Sequence, residues 1–184
     1  MDDAVLIDRA RKGDRGAFGI LARRHFETAW AVALAVTGEP ADAEDVCQDA
    51  LVRAWRRLDG LRVPARFRSW LARVTRRVAL NHVDARARRA GRCEPLAEYP
   101  APGPSPLTRV LDGELRRILL DAAEELTELQ RQVLLLYDLQ GFSHREVAEA
   151  LGISEVGSRR HLSDARRRMR GVLEALLPEP GGLA

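Results

Sequence analysis

The sequence predicts an all-α protein: two helical domains joined by a proline-rich linker. Three observations carry this. Apolar residues recur at spacings of three and four along most of the 184 residues, without the strict alternation of a half-buried strand. Pro95, Pro100, Pro102, Pro104 and Pro106 crowd twelve consecutive positions, where no helix interior can form. Helix-start signals, Ser, Thr or Asp ahead of a periodic run, appear on both sides of that break.

The elements follow in order. Asp2 or Asp3 can cap a first helix carrying Leu6 and Ala10, with Gly13 ending it. Asp14 starts a second, with Phe18, Leu21, Ala22, Ala29, Val32, Ala33 and Val36 along one side. Thr37-Gly38-Glu39-Pro40 breaks it, and a proline is well tolerated at the start of the next helix. That third helix is expected to run to about Leu58, burying Cys47, Leu51, Ala54 and Leu58. Asp59-Gly60 and Pro64 form a short loop. A long fourth helix then buries Phe67, Trp70, Leu71, Val74 and Val78. These helices make a first domain, residues 1–90, and residues 91–110 a semi-extended linker.

Beyond the linker a second domain is expected over residues 111–177. Leu115, Ile118, Leu119 and Ala122 recur at helical spacing. Thr127-x-x-Gln130 and Ser143-x-x-Glu146 both read as capping boxes: each hydroxyl can accept from the third residue's N–H while the Gln or Glu reaches back. Gly152-Ile153-Ser154 is a tight turn, with Ser154 placed to cap a last helix ending near Leu176. Pro178, Pro180, Gly181 and Gly182 predict a disordered tail over 178–184.

Composition narrows the functions. No run approaches the roughly 18 apolar residues of a membrane span, and the acidic Met1-Asp2-Asp3 start is unlike a secretory signal. Cys47 and Cys93 stand alone without metal-ligand spacing, so two ordinary thiols in a reducing cytoplasm are expected. The net charge is only +3, yet it is unevenly spread. From Arg62 to Arg92 ten arginines face one acid, Asp84, and from Arg159 to Arg170 six face Asp164. Two basic zones suit two contacts with a polyanion, although solvated helix faces would look the same.

A short helix, a glycine turn and a basic helix make a helix-turn-helix pattern, in which the first helix braces the second for a DNA major groove. Ser158, Leu162, Ala165 and Met169 should face the core. Arg160, Ser163, Asp164 and Arg167 then face outward, flanked by Arg159, His161 and Arg166. Arginine can bridge a guanine edge or hold a phosphate. In the first domain Asp42, Asp45 and Asp49, flanked by Glu44 and Gln48, lie opposite the apolar stripe of the third helix. Such acids could bind a metal, stabilise the helix dipole or dock a basic partner, and composition does not choose among them.

Two stretches resemble one family. Leu126-Thr-Glu-Leu-Gln-Arg-Gln-Val-Leu-Leu-Leu-Tyr137 and Gly141-Phe-Ser-His-Arg-Glu-Val-Ala-Glu-Ala-Leu-Gly-Ile-Ser154 are similar to the fourth domain of bacterial sigma factors. Ala41-Asp-Ala-Glu-Asp-Val-Cys-Gln-Asp-Ala-Leu-Val-Arg-Ala-Trp-Arg-Arg-Leu58 and Phe67-Arg-Ser-Trp-Leu-Ala-Arg-Val-Thr-Arg-Arg-Val-Ala-Leu-Asn-His82 resemble the second domain of the extracytoplasmic-function group of the sigma-70 family. Where the family has a Gly-Thr-Val-Lys-Ser-Arg-Leu-like run, this chain has Val156-Gly-Ser-Arg-Arg-His-Leu162, so a packing valine gives way to Ser158. Asp164 and Asn81 replace a basic residue and an aspartate.

The resemblance implies a promoter-reading subunit with two DNA-contacting domains. Asp42, Glu44, Asp45, Gln48 and Asp49 would grip the clamp helices of the largest subunit of core RNA polymerase. Arg62, Arg73, Arg76, Arg77 and Asn81 would engage the −10 element, with the loop 59–66 capturing a flipped base. Arg159, Arg160, His161, Ser163, Arg166 and Arg167 would read the −35 element. It implies no catalytic residues, no metal and no cofactor, promoter DNA and core polymerase as partners, and an anti-sigma factor as a regulator in many relatives. A cytoplasmic protein without direct membrane insertion follows. A polymerase-independent helix-turn-helix regulator is the alternative, but it leaves the acidic helix without a role.

Overall fold

The computed structural model describes residues 1–90 and 125–176, and every regular element among them is helical. The linker 91–110, the periodic run around Leu115–Ala122 and the tail 178–184 lie outside the described residues. The elements are α1 (Asp3–Arg11), α2 (Arg15–Thr37), α3 (Pro40–Arg56) and α4 (Phe67–Ala90), then α5 (Glu128–Leu134), α6 (His144–Leu151) and α7 (Glu155–Leu176). Two single 3₁₀ turns, Leu58–Gly60 and Pro64–Arg66, carry the chain from α3 to α4. The third helix therefore stops at Arg56, short of the expected Leu58, which is buried from the first of these turns.

The starts of α1 and α2 differ in a way the sequence did not separate. Asp2 occupies the N-cap of α1 but makes no capping bond, and Asp3 turns to α2, where it pairs with Arg24 and with His25 Nε2 at 2.7 Å. Asp14 caps α2 as expected, accepting from the Ala17 N–H at 2.9 Å. That bond, helped by Arg9, holds the Asp14 carboxyl below the usual carboxylate range.

α2 is the axis of the N-terminal half, packed by α1, α3 and α4. The sequence predicts one buried side. Instead Ala29, Ala31, Val32, Ala33 and Ala35 are all buried, because these small side chains admit neighbours on several sides at once. The core around them joins Leu6, Ile7, Leu21, Cys47, Phe67 and Leu71. Burial, with a smaller push from Glu44, raises the Cys47 thiol to about 12, so it behaves as a small apolar side chain.

Both predicted capping boxes form reciprocally: Thr127 with Gln130 opens α5, and Ser143 with Glu146 opens α6. α5 widens into a π turn over Leu135–Leu139, where the Gln140 N–H reaches the Leu135 carbonyl at 3.0 Å. Gly141 then adopts φ 64° and Gly152, after α6, φ 70°, left-handed values that a side chain would resist.

The two halves pack together. Val32 of α2 and Ala72 of α4 belong to the same buried cluster as Val133, Leu136, Phe142, Val147, Ala150, Leu151 and Leu162. This packing was not legible in the sequence, where periodicity and caps describe each half by itself.

Candidate nucleic-acid and partner interfaces

On α3 the period-3.6 pattern splits the helix cleanly. Ala43, Val46, Cys47, Ala50 and Ala54 are buried, while Glu44, Asp45, Gln48 and Asp49 are exposed. None of the three exposed acids makes an ion pair among the described residues. Asp45 and Asp49 stand one turn apart with like charge, which is locally unfavourable and leaves a negative stripe open to a basic partner. Asp42 differs. It is bound to Arg86 of α4 and lies 3.3 Å from His82 Nε2, so it braces α3 against α4. No group of three or more His, Cys, Asp or Glu with metal-holding geometry occurs among the described residues.

α4 carries arginines on two lines. Arg73, Arg77 and Asn81, four residues apart, form an exposed line. Arg68, Ala72 and Arg76 form a neighbouring line turned toward the C-terminal half. Arg76 Nε donates to Gln132 Oε1 at 2.8 Å, and the Arg68 guanidinium lies 4.0 Å from the centre of the Phe142 ring. Burial there weakens the Arg68 cation relative to an exposed arginine, with nearby Glu146 opposing. Arg62 is exposed in the loop between α3 and α4, beside the exposed Val63. The loop is held from beneath: Arg11 donates to the carbonyls of Leu58 and Leu61, and Leu61 is buried. Sequence reasoning did not find Arg11, whose partners lie about fifty residues away.

The turn between α6 and α7 is built as expected. The Ser154 hydroxyl accepts from the Gly157 N–H at 3.0 Å, starting α7. Ser158, Leu162 and Ala165 are buried and Met169 is half-buried. Ser158 is fully inaccessible, yet its hydroxyl is satisfied by His144 Nδ1 at 2.9 Å. His144 stacks on Tyr137 with ring centres 4.3 Å apart. Desolvation, reinforced by Arg159 and Arg166, lowers the imidazole pKa and favours its neutral form.

On the outer face Arg159, Arg160, Ser163 and Arg167 are exposed, and His161 is half-buried. Four of the expected readers meet carboxylates of the chain, Arg159 with Glu155 at 3.5 Å and Arg160, Arg166 and Arg167 with Asp164 or Asp138. Arg166 is tied to Asp138 and lies 5.7 Å from the Tyr137 ring centre, and Arg167 pairs with Asp164 at 2.7 Å. The Asp164 carboxylate lies between Arg167 and Arg160, the latter 3.9 Å away.

Known proteins share this arrangement. The family description "Sigma-70 region 2" matches residues 21–89 and "Sigma-70, region 4" matches residues 116–169, in the order in which the acidic helix and the helix-turn-helix occur. The "ECF RNA polymerase sigma-E factor" of Escherichia coli K12 is 29% identical over 187 residues, covering 96% of this chain and 97% of that protein. The chain belongs to the extracytoplasmic-function sigma factors of the sigma-70 family. This sigma factor is also 36% identical over 178 residues to "Probable RNA polymerase sigma factor RfaY" of Xanthomonas campestris pv. campestris, covering 93% of the chain but only 44% of that longer protein. Among solved structures, CnrH in complex with the cytosolic domain of CnrY matches at TM-score 0.70 and 28% identity, covering 95% of this sigma factor and 99% of that chain. The sigma factor RpoE in complex with the anti-sigma factor NepR from Bartonella quintana matches at TM-score 0.61 and 23% identity over 87% and 98% of the two chains, a likeness of fold. None of the described helices is long and apolar enough to cross a membrane.

Proposed function

We propose that this sigma factor binds core RNA polymerase through the acidic stripe of α3 and directs promoter-specific initiation, acting as a non-enzymatic subunit in the cytoplasm without a cofactor. The observation that carries the reading is the unpaired carboxylate row Glu44, Asp45 and Asp49, with Gln48 among them, beside an arginine-lined helix and followed by a helix-turn-helix. Electrostatic complementarity of this kind steers and registers a partner. A basic helical surface on the clamp of the largest polymerase subunit supplies the opposite charge. Asp42 contributes by holding α3 in place against Arg86 and His82.

In this reading residues 1–90 and 111–177 are the two functional domains. Arg73, Arg77 and Asn81, with Arg76 and Arg62, meet the −10 element, and the loop 59–66 receives a flipped base. Arg159, Arg160, His161, Ser163, Arg166 and Arg167 meet the −35 element in the major groove, positioned by the α6 brace. Phosphodiester chemistry stays with the polymerase. An anti-sigma protein is the natural inhibitor; RpoE from Bartonella quintana is found in complex with one, NepR, and CnrH in complex with the cytosolic domain of CnrY.

The test is reconstitution. The purified chain with core polymerase should initiate at discrete sites on genomic DNA. Asp45→Arg with Asp49→Arg should lower core affinity by at least about tenfold, the loss expected when favourable charge pairs become repulsive, while leaving the helical spectrum unchanged. Unaltered core binding by the doubly reversed protein would remove α3 as the docking face.

A further inference from the structure

We propose that Val156 is a specificity-determining residue of α7, covering a thymine methyl group on the major-groove edge of the upstream promoter element. This rests on the −35 role proposed for α7 and adds an apolar reader to a helix whose basic residues alone were singled out.

Val156 is 73% exposed, and no large apolar side chain among the described residues is more so. It is the second residue of α7. The helical period sets it opposite the buried line of Ser158, Leu162 and Ala165, at the head of an outer line completed by Arg160, Ser163 and Arg167. Core packing therefore does not account for this valine. Helix propensity does not either, since a β-branched residue is a poorer helix former than alanine or a straight chain. A lone exposed valine is ordinary on a protein surface. What sets this one apart is its company, two guanidinium groups and a hydroxyl on the same line, and the way it is held.

The first turn of α7 is fixed from two directions. The Ser154 hydroxyl accepts from the Gly157 N–H at 3.0 Å, and the Ser154 carbonyl accepts from the Ser158 N–H at 2.9 Å. A Cβ at Gly157 would come within 3.1 Å of Ser154 Oγ, so glycine keeps this capped turn tight. The bond between Ser158 and His144 ties the same turn to α6. A β-branched side chain in a helix holds one strongly preferred χ1 rotamer, so the valine methyls are presented in one orientation with little freedom left to lose. The N-terminal residues of a recognition helix are the ones that reach base edges. In the major groove adenine, guanine and cytosine offer acceptors and amino donors, while thymine adds an apolar C5 methyl. Valine gains by covering that methyl, whereas against the other edges it strips water without replacing its hydrogen bonds. Arg159, Arg160 and Arg167 share their charge with Glu155 or Asp164. That sharing suits them to phosphate positioning and moves base discrimination toward Val156.

The experiment uses holoenzyme reconstituted with the full chain, selecting from promoter DNA whose upstream element is randomised. Wild type should enrich thymine at one position on one strand. Val156→Ala should lose that preference while keeping the rest of the selected sequence. On the selected promoter, deoxyuridine in place of that thymine removes the methyl group and nothing else. The exchange should weaken wild-type binding by about fourfold, the factor carried by one buried methyl group. Val156→Ala should be nearly indifferent to it, and Val156→Ile, which keeps an apolar group there, should retain the penalty. Equal thymine enrichment by wild type and Val156→Ala overturns the proposal, as does an equal uracil penalty in the two proteins. Either result leaves the −35 role of α7 standing. If neither protein enriches any upstream sequence, that role falls and the assignment of Val156 falls with it.

Discussion

Ser158 illustrates how a buried polar group is accommodated. A fully buried hydroxyl left without a partner should cost its desolvation. Here His144 supplies the partner from α6 and is itself stacked on Tyr137. Ser158→Ala should thus destabilise by about 1 kcal/mol, the net worth of one hydrogen bond. Ser158→Val should be near neutral, because burying two methyl groups offsets the lost bond. Urea unfolding of the two variants separates these outcomes. The lowered His144 pKa has a definite sign: the folded state binds the proton less readily than the unfolded chain, whose value is near 6.5. Stability from this group is therefore complete above 6.5 and declines as pH falls through that value toward the lower folded pKa. The denaturation midpoint should drop on acidification, and His144→Asn should flatten the drop.

Helix α7 shows the same economy over a longer span. Its inner line of Ser158, Leu162 and Ala165 is fixed by packing, while its outer arginines are shared between solvent and internal carboxylates. Asp164 restrains Arg167 and, more loosely, Arg160. Surface pairs of this kind add little to stability, so Asp164→Asn should scarcely move the unfolding midpoint. It should raise affinity for duplex DNA several-fold, because two guanidinium groups and one fewer negative charge then meet the phosphates. Salt titration of fluorescence anisotropy would register this as a steeper slope. An unchanged slope would mean that these arginines do not touch the backbone. Helix α3 is the complement: its Glu44, Asp45 and Asp49 make no ion pair among the described residues, whereas Asp42 is held by Arg86 and His82.

Across the whole molecule the decisive feature is that two regions related to separate sigma regions share one buried cluster. Phe142 is the hinge of that sharing: it is 2% exposed, packs among residues of α5 and α6, and lies against Arg68 from α4. Phe142→Ala should destabilise by about 3–5 kcal/mol through the cavity it leaves. In a double-mutant cycle with Arg68→Ala the two losses should fall short of additivity by about 0.5–2 kcal/mol, the worth of a partly desolvated cation–aromatic contact. Additive losses would show that the Arg68–Phe142 contact contributes nothing to stability.

The sequence by itself determined most of what is local or periodic, short of the end of α3, the start of α1 and the π turn after α5. The helices, the Asp14, Thr127, Ser143 and Ser154 caps, the turn at Gly152, and the opposition of the acidic and apolar faces of α3 all follow from contacts within a few residues, and the chain writes such contacts in plain spacing. Tertiary structure alone decided the partners of long side chains. Arg11 under the loop, Asp3 at His25, Asp42 at Arg86, His144 at Ser158 and Arg68 on Phe142 are each met from another helix. An arginine reaching several ångströms from its backbone can stay in water, pair with an acid or cover a ring. Which of these occurs depends on what the folded chain brings opposite, and no periodicity in the sequence records that.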